Sequence, residues 1–473
     1  MTNALTLLAA ADEPTIDFAA TAFVLLCSAL VLVMTAPGLA LFYGGMTRAT
    51  SVLNMMMMSL GAFAVVGVIY VLYGYSMSFG PQDLAGIVAS PLDKFGLNGT
   101  DGLINPFGFE GYGTIPELAF VAFQLTFAVI TVALISGAIA DRVRYSTWLV
   151  FAGLWATLCY FPIAHMVWGG GWLSASENGL AAALFGTSDG VAAVAPIDFA
   201  GGTVVHINAG MAGLVLALVV GRRYGFGKVA MRPHNVPLVV IGAGLLWFGW
   251  IGFNAGSELA PDLTAARVWV TTTAAACAAI AGWLIVEKVR DGHATTVGAA
   301  SGVVAGLVAI TPACGAVSPV GALALGLIAG ALCAYAVPLK FRFGVDDSLD
   351  VVGVHLVAGL WGTVAAGLLS TDTGLFYGGG VRQTILQAVI ALVTLLVSGA
   401  VTTVLALALR ATLGWRIGGE VEISGIDGAE HAESAYDLGS RGGRLGQGGS
   451  ILGTAPPSAR PQTRLTDPEG AQG

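Results

Sequence analysis

Two stretches place ionisable rings where the sequence is otherwise apolar. "DFAGGTVVHINAG" carries His206, and "DDSLDVVGVHLVAG" carries His355. Both histidines sit in the pattern V-H-x-x-A-G. His206 follows Asp198 by eight residues and His355 follows Asp346 by nine. At ~1.5 Å per helical residue both rings lie ~12–14 Å along their helices, near the middle of a ~30 Å hydrocarbon layer. A lone intramembrane histidine reads as an interhelical hydrogen-bonding group. A matched pair at one depth reads as a functional site, because ionisable groups there are costly to keep.

The surrounding residues narrow the chemistry. Lys94, Lys228, Lys288 and Lys340 all fall in loops or at span ends, which excludes a retinal-type Schiff base. No carboxylate sits near a helix centre, since Glu117 and Glu287 lie at span ends. A bare cation between the histidines would lack a counter-charge and would cost several kcal/mol or more to desolvate. The pair therefore suits something neutral that hydrogen-bonds to imidazole. Bis-histidine haem would bring room for a porphyrin and repeated histidines on one helix; neither is visible, and no cofactor or metal is expected. Asp198 and Asp350 precede helical runs and are expected to cap exposed backbone N–H groups. His165, in "PIAHMVWGGGW", sits near the end of its span, where an interfacial ring costs little.

The elements that must hold these residues are membrane helices. Of the 473 residues 56% are hydrophobic and 10% charged, with a mean hydropathy of +0.81. A soluble domain has about 25% charged residues, so the composition indicates an integral membrane protein in a lipid bilayer. The 67 glycines fit closely packed membrane helices. The net charge of -8 resides largely in loops and tail and points to no partner; no nucleic acid is expected. Four of the five cysteines, Cys27, Cys159, Cys277, Cys314 and Cys333, fall in apolar spans; none has CxxC or metal spacing, and all read as packing residues.

Eleven apolar runs are long enough to be candidate spans. They are Ala19–Phe42, Val52–Tyr73, Ile115–Ile139, Trp148–Val167, Gly201–Val220, Val236–Phe253, Val268–Val286, Gly298–Thr311, Gly321–Pro338, Val351–Leu369 and Ile385–Leu409. Before the last span, alternate loops carry eleven basic residues on one side (Arg48 to Arg342) and three on the other (Lys94, Arg267, Arg382). The positive-inside rule then puts the N-terminus outside and the C-terminus inside. The five-span separation of the two histidine motifs predicts an inverted repeat, spans one to five against six to ten. The chain divides into an extracytoplasmic segment 1–18, a membrane domain 19–416, a cytoplasmic tail 417–440 and a Gly/Pro/Ser-rich extension 441–473, expected to be disordered. The N-terminus lacks a basic leader and makes a poor signal peptide.

Together with "VAFQLTFAVITVALISGAIADR", "PIAHMVWGGG" and "WIGFNAGS", the two histidine stretches resemble the ammonium transporter family (Amt/Mep/Rh), and its Amt branch in particular. The resemblance spans about Ala19 to Tyr436. It implies eleven helices, a homotrimer with one pore per subunit, and transport of ammonium or ammonia across the cytoplasmic membrane, with no enzymatic activity. By motif it implies an outer recruitment site of Phe123, Phe127, Trp168 and Ser257 supported by Asp198. It likewise implies a gate of Phe127 and Phe253, and a pore lined by His206 and His355. The tail stretch "GIDGAEHAESAY" resembles the family's regulatory tail, a docking segment for a PII-type signalling protein, with Ala432 where glycine is usual. A second reading, an ammonium sensor signalling through that tail, belongs to another functional class. The insertion between Trp168 and Asp198 looks longer than the family's usual outer loop.

Overall fold

The computed structural model describes residues 15–105 and 114–436. Most of the N-terminal segment, the end of the tail and the whole 441–473 extension lie outside the described residues. The described part is mostly helical, with three two-stranded sheets of short strands. Ten helices are long and apolar enough to cross a membrane, and an eleventh, of fifteen residues, is shorter. In chain order they are α1 Phe18–Met46, α2 Val52–Phe79, α3 Glu117–Ile139, α4 Tyr145–Trp168, α5 Gly202–Val220 and α6 Val236–Gly256. They continue with α7 Leu263–Asp291, α8 Thr296–Ile310, α9 Pro319–Phe343, α10 Val352–Leu369 and α11 Arg382–Thr412.

Each apolar run of the sequence has its helix, but several helices outlast the run. The backbone keeps its helical bonds until a capping group ends it, whatever the side-chain polarity. So α7 starts where the Asp262 carboxylate accepts from the Ala265 amide at 2.9 Å, five residues before its apolar run. It ends at Gly292, which has a φ of 81°. The side chains of Asp17, Asn235, Thr295 and Ser318 cap α1, α6, α8 and α9 in the same way. At fifteen residues α8 is only about 22 Å long. The chain then turns through "TPACGAV", where Thr311 and Cys314 are buried.

Five of the long helices contain a π-helical turn: Met34–Leu39 around Pro37, Tyr70–Gly74, Ala156–Tyr160, Gly202–Ile207 and Val352–Leu356. The last two open α5 and α10 and carry His206 and His355. A π turn widens the helix by one residue and re-aims the side chains it carries.

Small residues set the closest approaches. A Cβ placed on Gly326 or Gly330 of α9 would collide with the carbonyl oxygens of Ala275 or Ala279 on α7. The two helices therefore touch backbone to backbone. Four of the cysteines are buried as packing residues, whereas Cys277 faces outward.

The tail wraps against the end of the bundle that carries most of the basic residues. The Asp427 carboxylate accepts from the Leu53 and Asn54 amides at 3.1 and 2.8 Å, capping α2, whose own Ser51 makes no side-chain cap. Glu422 pairs with Arg416 and accepts from the Tyr224 amide at 2.6 Å, and its carbonyl accepts from Arg48 at 2.7 Å. Ala432 holds a φ of 55°, the left-handed conformation for which glycine is the natural choice.

The glycine contact gives a direct check. Gly330→Val drives a side chain into the α7 backbone and is expected to abolish folded protein in size-exclusion chromatography. Gly244→Ala, at a helical site with no atom within 4 Å of the added carbon, is expected to keep or slightly raise the melting temperature. A well-folded Gly330→Val protein would contradict the close α7–α9 contact.

Candidate functional site

The start of α5 is built around Asp198. Its carboxylate accepts from the amides of Gly202, Thr203 and Val204, at offsets of four, five and six residues. The Thr203 hydroxyl donates to it as well. Burial pushes the Asp198 carboxyl above its usual range, and these four bonds oppose that rise. The start of α10 repeats the device, but with Asp347. That carboxylate accepts from Val351, Val352 and Gly353, again at offsets of four, five and six.

Here the structure corrects the sequence reading. Asp350 does not cap α10. It sits at a φ of 65° and pairs with Lys340 at 2.5 Å, beside the cavity under His355. Nor is Asp346 the counterpart of Asp198, because its carboxylate is bound by Arg223. Measured from Asp347, His355 lies eight residues on, the same step that separates His206 from Asp198. Burial and the neighbouring Asp350 carboxylate hold Asp347 above the ordinary carboxylate range, against the pull of Lys340.

These two starts bring the histidines together. His206 Nδ1 and His355 Nδ1 are 3.3 Å apart, so one ring donates to the other. The glycines of V-H-x-x-A-G make the crossing possible. A Cβ on Gly359 would lie 3.1 Å from that of His206, and one on Gly210 would lie 2.6 Å from the Leu356 amide. His206 thus faces Gly359 while Gly210 faces Leu356, so the two motifs run past each other in opposite directions. Both rings are buried, and His206 Nε2 has no protein hydrogen-bond partner.

On one side of the pair the aromatic residues form a continuous series. A cavity of about 230 Å³ is lined by Phe79, Phe120, Phe123, Gln124, Phe127, Val167, Trp168, Phe199, Ser257 and Leu259. Trp168 meets Phe127 edge to face at 5.8 Å, and its indole N–H donates to the Asp198 carbonyl at 3.0 Å. The Ser257 hydroxyl donates to the Phe253 carbonyl at 2.9 Å, which leaves its oxygen lone pairs facing the cavity. Phe127 and Phe253 then stack at 4.0 Å with their planes 12° apart, closing the cavity floor. Below them the Phe253 ring is 6.3 Å from His206. All eight residues singled out by motif therefore converge on one line.

Sequence reasoning missed three members of this line. Trp250 stacks on His206 at 5.3 Å and 17°, held by its indole bond to Thr311; it stands three residues before Phe253 in a motif already noticed. Phe42 and Tyr43 line the space beside His355, together with Ser301 and Asp350. The cavity between the two histidines and Trp250 admits about one water-sized molecule.

A multi-pass helical membrane protein with an aromatic cavity, a stacked ring closure and a buried pair of imidazoles is the class these features define. The Ammonium Transporter Family profile matches residues 22–436. Ammonium transporters of Mycobacterium bovis and Aquifex aeolicus are 53% and 44% identical to the chain. The first alignment covers 88% of this chain and 90% of that protein, the second 90% and 96%. A solved structure of Candida albicans Mep2 superposes with a TM-score of 0.75 at 30% identity, over 86% of this chain and 87% of that one. A structure described as Sensor Amt Protein gives 0.76 at 26% identity, over 87% and 98%. The chain belongs to the Ammonium Transporter Family.

The two acids separate by experiment. Asp347→Ala strips three amides of their acceptor and is expected to lower stability by about 1–2 kcal/mol, read as a fall in melting temperature of the purified protein. Asp350→Gly relieves the left-handed strain but also deletes the Lys340 ion pair, and is expected to cost less stability than Asp347→Ala. The opposite ranking would return the capping role to Asp350.

Proposed function

We propose that the line of rings is the substrate path, and that the protein recruits NH4+ at the Trp168 cavity and conducts ammonia past the histidines. The observation that carries this reading is the unbroken series Trp168, Phe127, Phe253, His206 and His355, whose polar members carry no fixed charge. The faces of Trp168, Phe123 and Phe127 attract a small cation by about 0.5–2 kcal/mol. Ser257 offers an acceptor that replaces a lost water. Ammonium has protons to donate to that oxygen and alkali ions do not, so the site prefers ammonium. The Phe127–Phe253 stack excludes water until it moves. Beyond it, a dehydrated ammonia molecule finds hydrogen-bonding imidazole, with His206 Nε2 open to it, while a naked cation finds no counter-charge.

In this reading the Trp168 cavity faces outward, the tail lies in the cytoplasm, and the protein resides in the cytoplasmic membrane as a homotrimer. The tail, held by Asp427 and Glu422, is the surface a PII-type protein would engage. The alternative, an ammonium sensor, draws on the likeness to the Sensor Amt Protein. Flux measurements separate the two, because a pure sensor needs no net conduction.

Recruitment is tested by Trp168→Leu. Losing ~1–2 kcal/mol of cation–π attraction is expected to raise the half-saturating concentration of labelled methylammonium roughly five- to thirty-fold. An unchanged saturation curve would remove Trp168 from the binding step.

The histidine pair is tested by charge. His206→Glu supplies a carboxylate that offsets part of the several-kcal/mol desolvation cost of a cation. The variant is expected to pass K+ or be blocked by it, where the parent does neither. His206→Leu is expected to lose or slow ammonium flux. Both are read in proteoliposomes with and without excess K+, on matched amounts of folded protein. A K+-insensitive glutamate variant together with a normally conducting leucine variant would make the pair structural.

A further inference from the structure

The line of rings continues past His355 toward the face on which the tail packs. A narrow cavity beneath His355 has Phe42, Tyr43, Ser301 and Asp350 in its walls. A second cavity, of about 460 Å³, has Arg223, Phe226, Lys228, Lys340, Phe341 and Ser348 in its walls. Asp350 belongs to the first and Lys340 to the second, and the two side chains meet at 2.5 Å. Their ion pair is therefore the partition between the two spaces.

Backbone geometry puts the pair there. The left-handed φ of 65° at Asp350 turns its carboxylate away from the α10 amides, which Asp347 takes instead. Lys340 stands in the last turn of α9, which Gly344 ends with a φ of 67°. Its ammonium head donates to the Asp347 carbonyl at 3.0 Å as well as to Asp350, and lies 5.6 Å from the centre of the Phe341 ring. Both side chains are largely buried, 14% exposed for Lys340 and 26% for Asp350. The charged groups nearby are committed elsewhere. Arg223 binds Asp346 and Asp141, Arg142 binds the Asp346 carbonyl and Ser348, and Asp347 holds three amides. Among the described residues Lys340 is the one side chain bonded to the Asp350 carboxylate.

What Lys340 fills has the chemistry of a cation site. A carboxylate at the wall of a narrow, mostly apolar cavity attracts monovalent cations. An ammonium ion there would donate to it and to the Asp347 carbonyl, as the lysine head does. That head is itself an alkylammonium, held on an aliphatic stem so that it cannot leave. We propose that Lys340 is a specificity-determining residue, a tethered mimic of the substrate that fills an ammonium site at the inner mouth and denies it to free cations from the tail side. Neutral ammonia leaving His355 is not held by the pair. K+ or ammonium approaching from the tail side meets a positive charge in the place where it would bind. The proposal rests on the reading of the ring line as the path.

The test removes the tethered charge and reads the tail face. Uptake of labelled methylammonium is measured in inside-out vesicles, which present that face to the medium, with and without excess K+. The proteins compared are the parent, Lys340→Gln, Asp350→Asn and the double variant. Lys340→Gln uncovers the carboxylate, while its amide can still donate to the Asp347 carbonyl. It is expected to lower the half-saturating concentration about two- to fivefold, the worth of one partly screened ion pair, and to make uptake sensitive to K+. The double variant has no carboxylate to uncover and is expected to return to the parent value and to K+ insensitivity. Asp350→Asn leaves Lys340 charged and is expected to bind no better than the parent on that face. A Lys340→Gln curve identical to the parent's, or a double variant that keeps the gain, overturns the proposal. So does a lower half-saturating concentration in Asp350→Asn, which is readable even where Lys340→Gln does not fold. His206→Leu keeps the two readings apart. Normal conduction in that variant removes the path and the proposal with it, whereas impaired conduction beside a silent Lys340→Gln removes only the inner site.

Discussion

Two buried imidazoles 3.3 Å apart must share hydrogen bonds, because neither has room for a compensating charge. The cavity beside them is lined by Met, Leu, Phe, Tyr, Ile, Val and Trp side chains. Leaving a polar nitrogen unpaired in such a place costs about 1–3 kcal/mol. The fold must supply that cost through packing, and it does so by committing two helix starts to holding the rings. Every feature of those starts follows from this requirement. The capping carboxylate eight residues back fixes the first turn, the π turn swings the ring inward, and the glycine four residues on lets the opposing helix cross close by.

The same requirement shapes what lies on either side. Rings, not charges, surround the pair: Trp250 stacks on His206, and Phe253 stands between it and the outer cavity. The carboxylates at the starts of the two histidine helices are occupied. Asp198 and Asp347 spend theirs on backbone amides, and Asp350 spends its own on Lys340. An ionised acid released from such partners near the histidines would lower the barrier to any monovalent cation. Occupying the acids with backbone and lysine thus keeps their charge at the helix starts.

Much of this was legible in the sequence because membrane burial leaves strong marks. Apolar runs marked the order and approximate limits of the helices, and the repeated V-H-x-x-A-G marked the ring pair. What the sequence obscured was local. Three aspartates, Asp346, Asp347 and Asp350, lie within five residues of one another, and choosing the capping one needs geometry. Equal spacing to the two histidines points to Asp347, but the tempting choice by proximity to the helix was Asp350, which the left-handed backbone turns away. Phe42, Tyr43 and Trp250 were invisible for another reason. An aromatic residue in an apolar span looks like packing until a second element brings an imidazole to its face. The docked tail was legible as a motif, but not the contact that holds it, because Asp427 completes a helix that begins some 370 residues earlier.

The cavity beside Trp168 shows how far a site can depend on residues that do not line it. Its aromatic walls come from α2, α3, α4 and α6 and the segment before α5, which share no local sequence. Rings presented by separate helix ends make a cation site only if their spacing is held, since cation–π attraction falls off beyond about 6 Å from a ring centre. Phe79 closes a helix and enters a hairpin, and its ring packs edge to face on Phe120 at 5.0 Å. The His165 ring, in contact with the Ser78 carbonyl and the Asp83 carboxylate, ties both flanks of that residue to the turn carrying Trp168, so the spacing of rings from separate helices is held by a side chain that does not line the cavity.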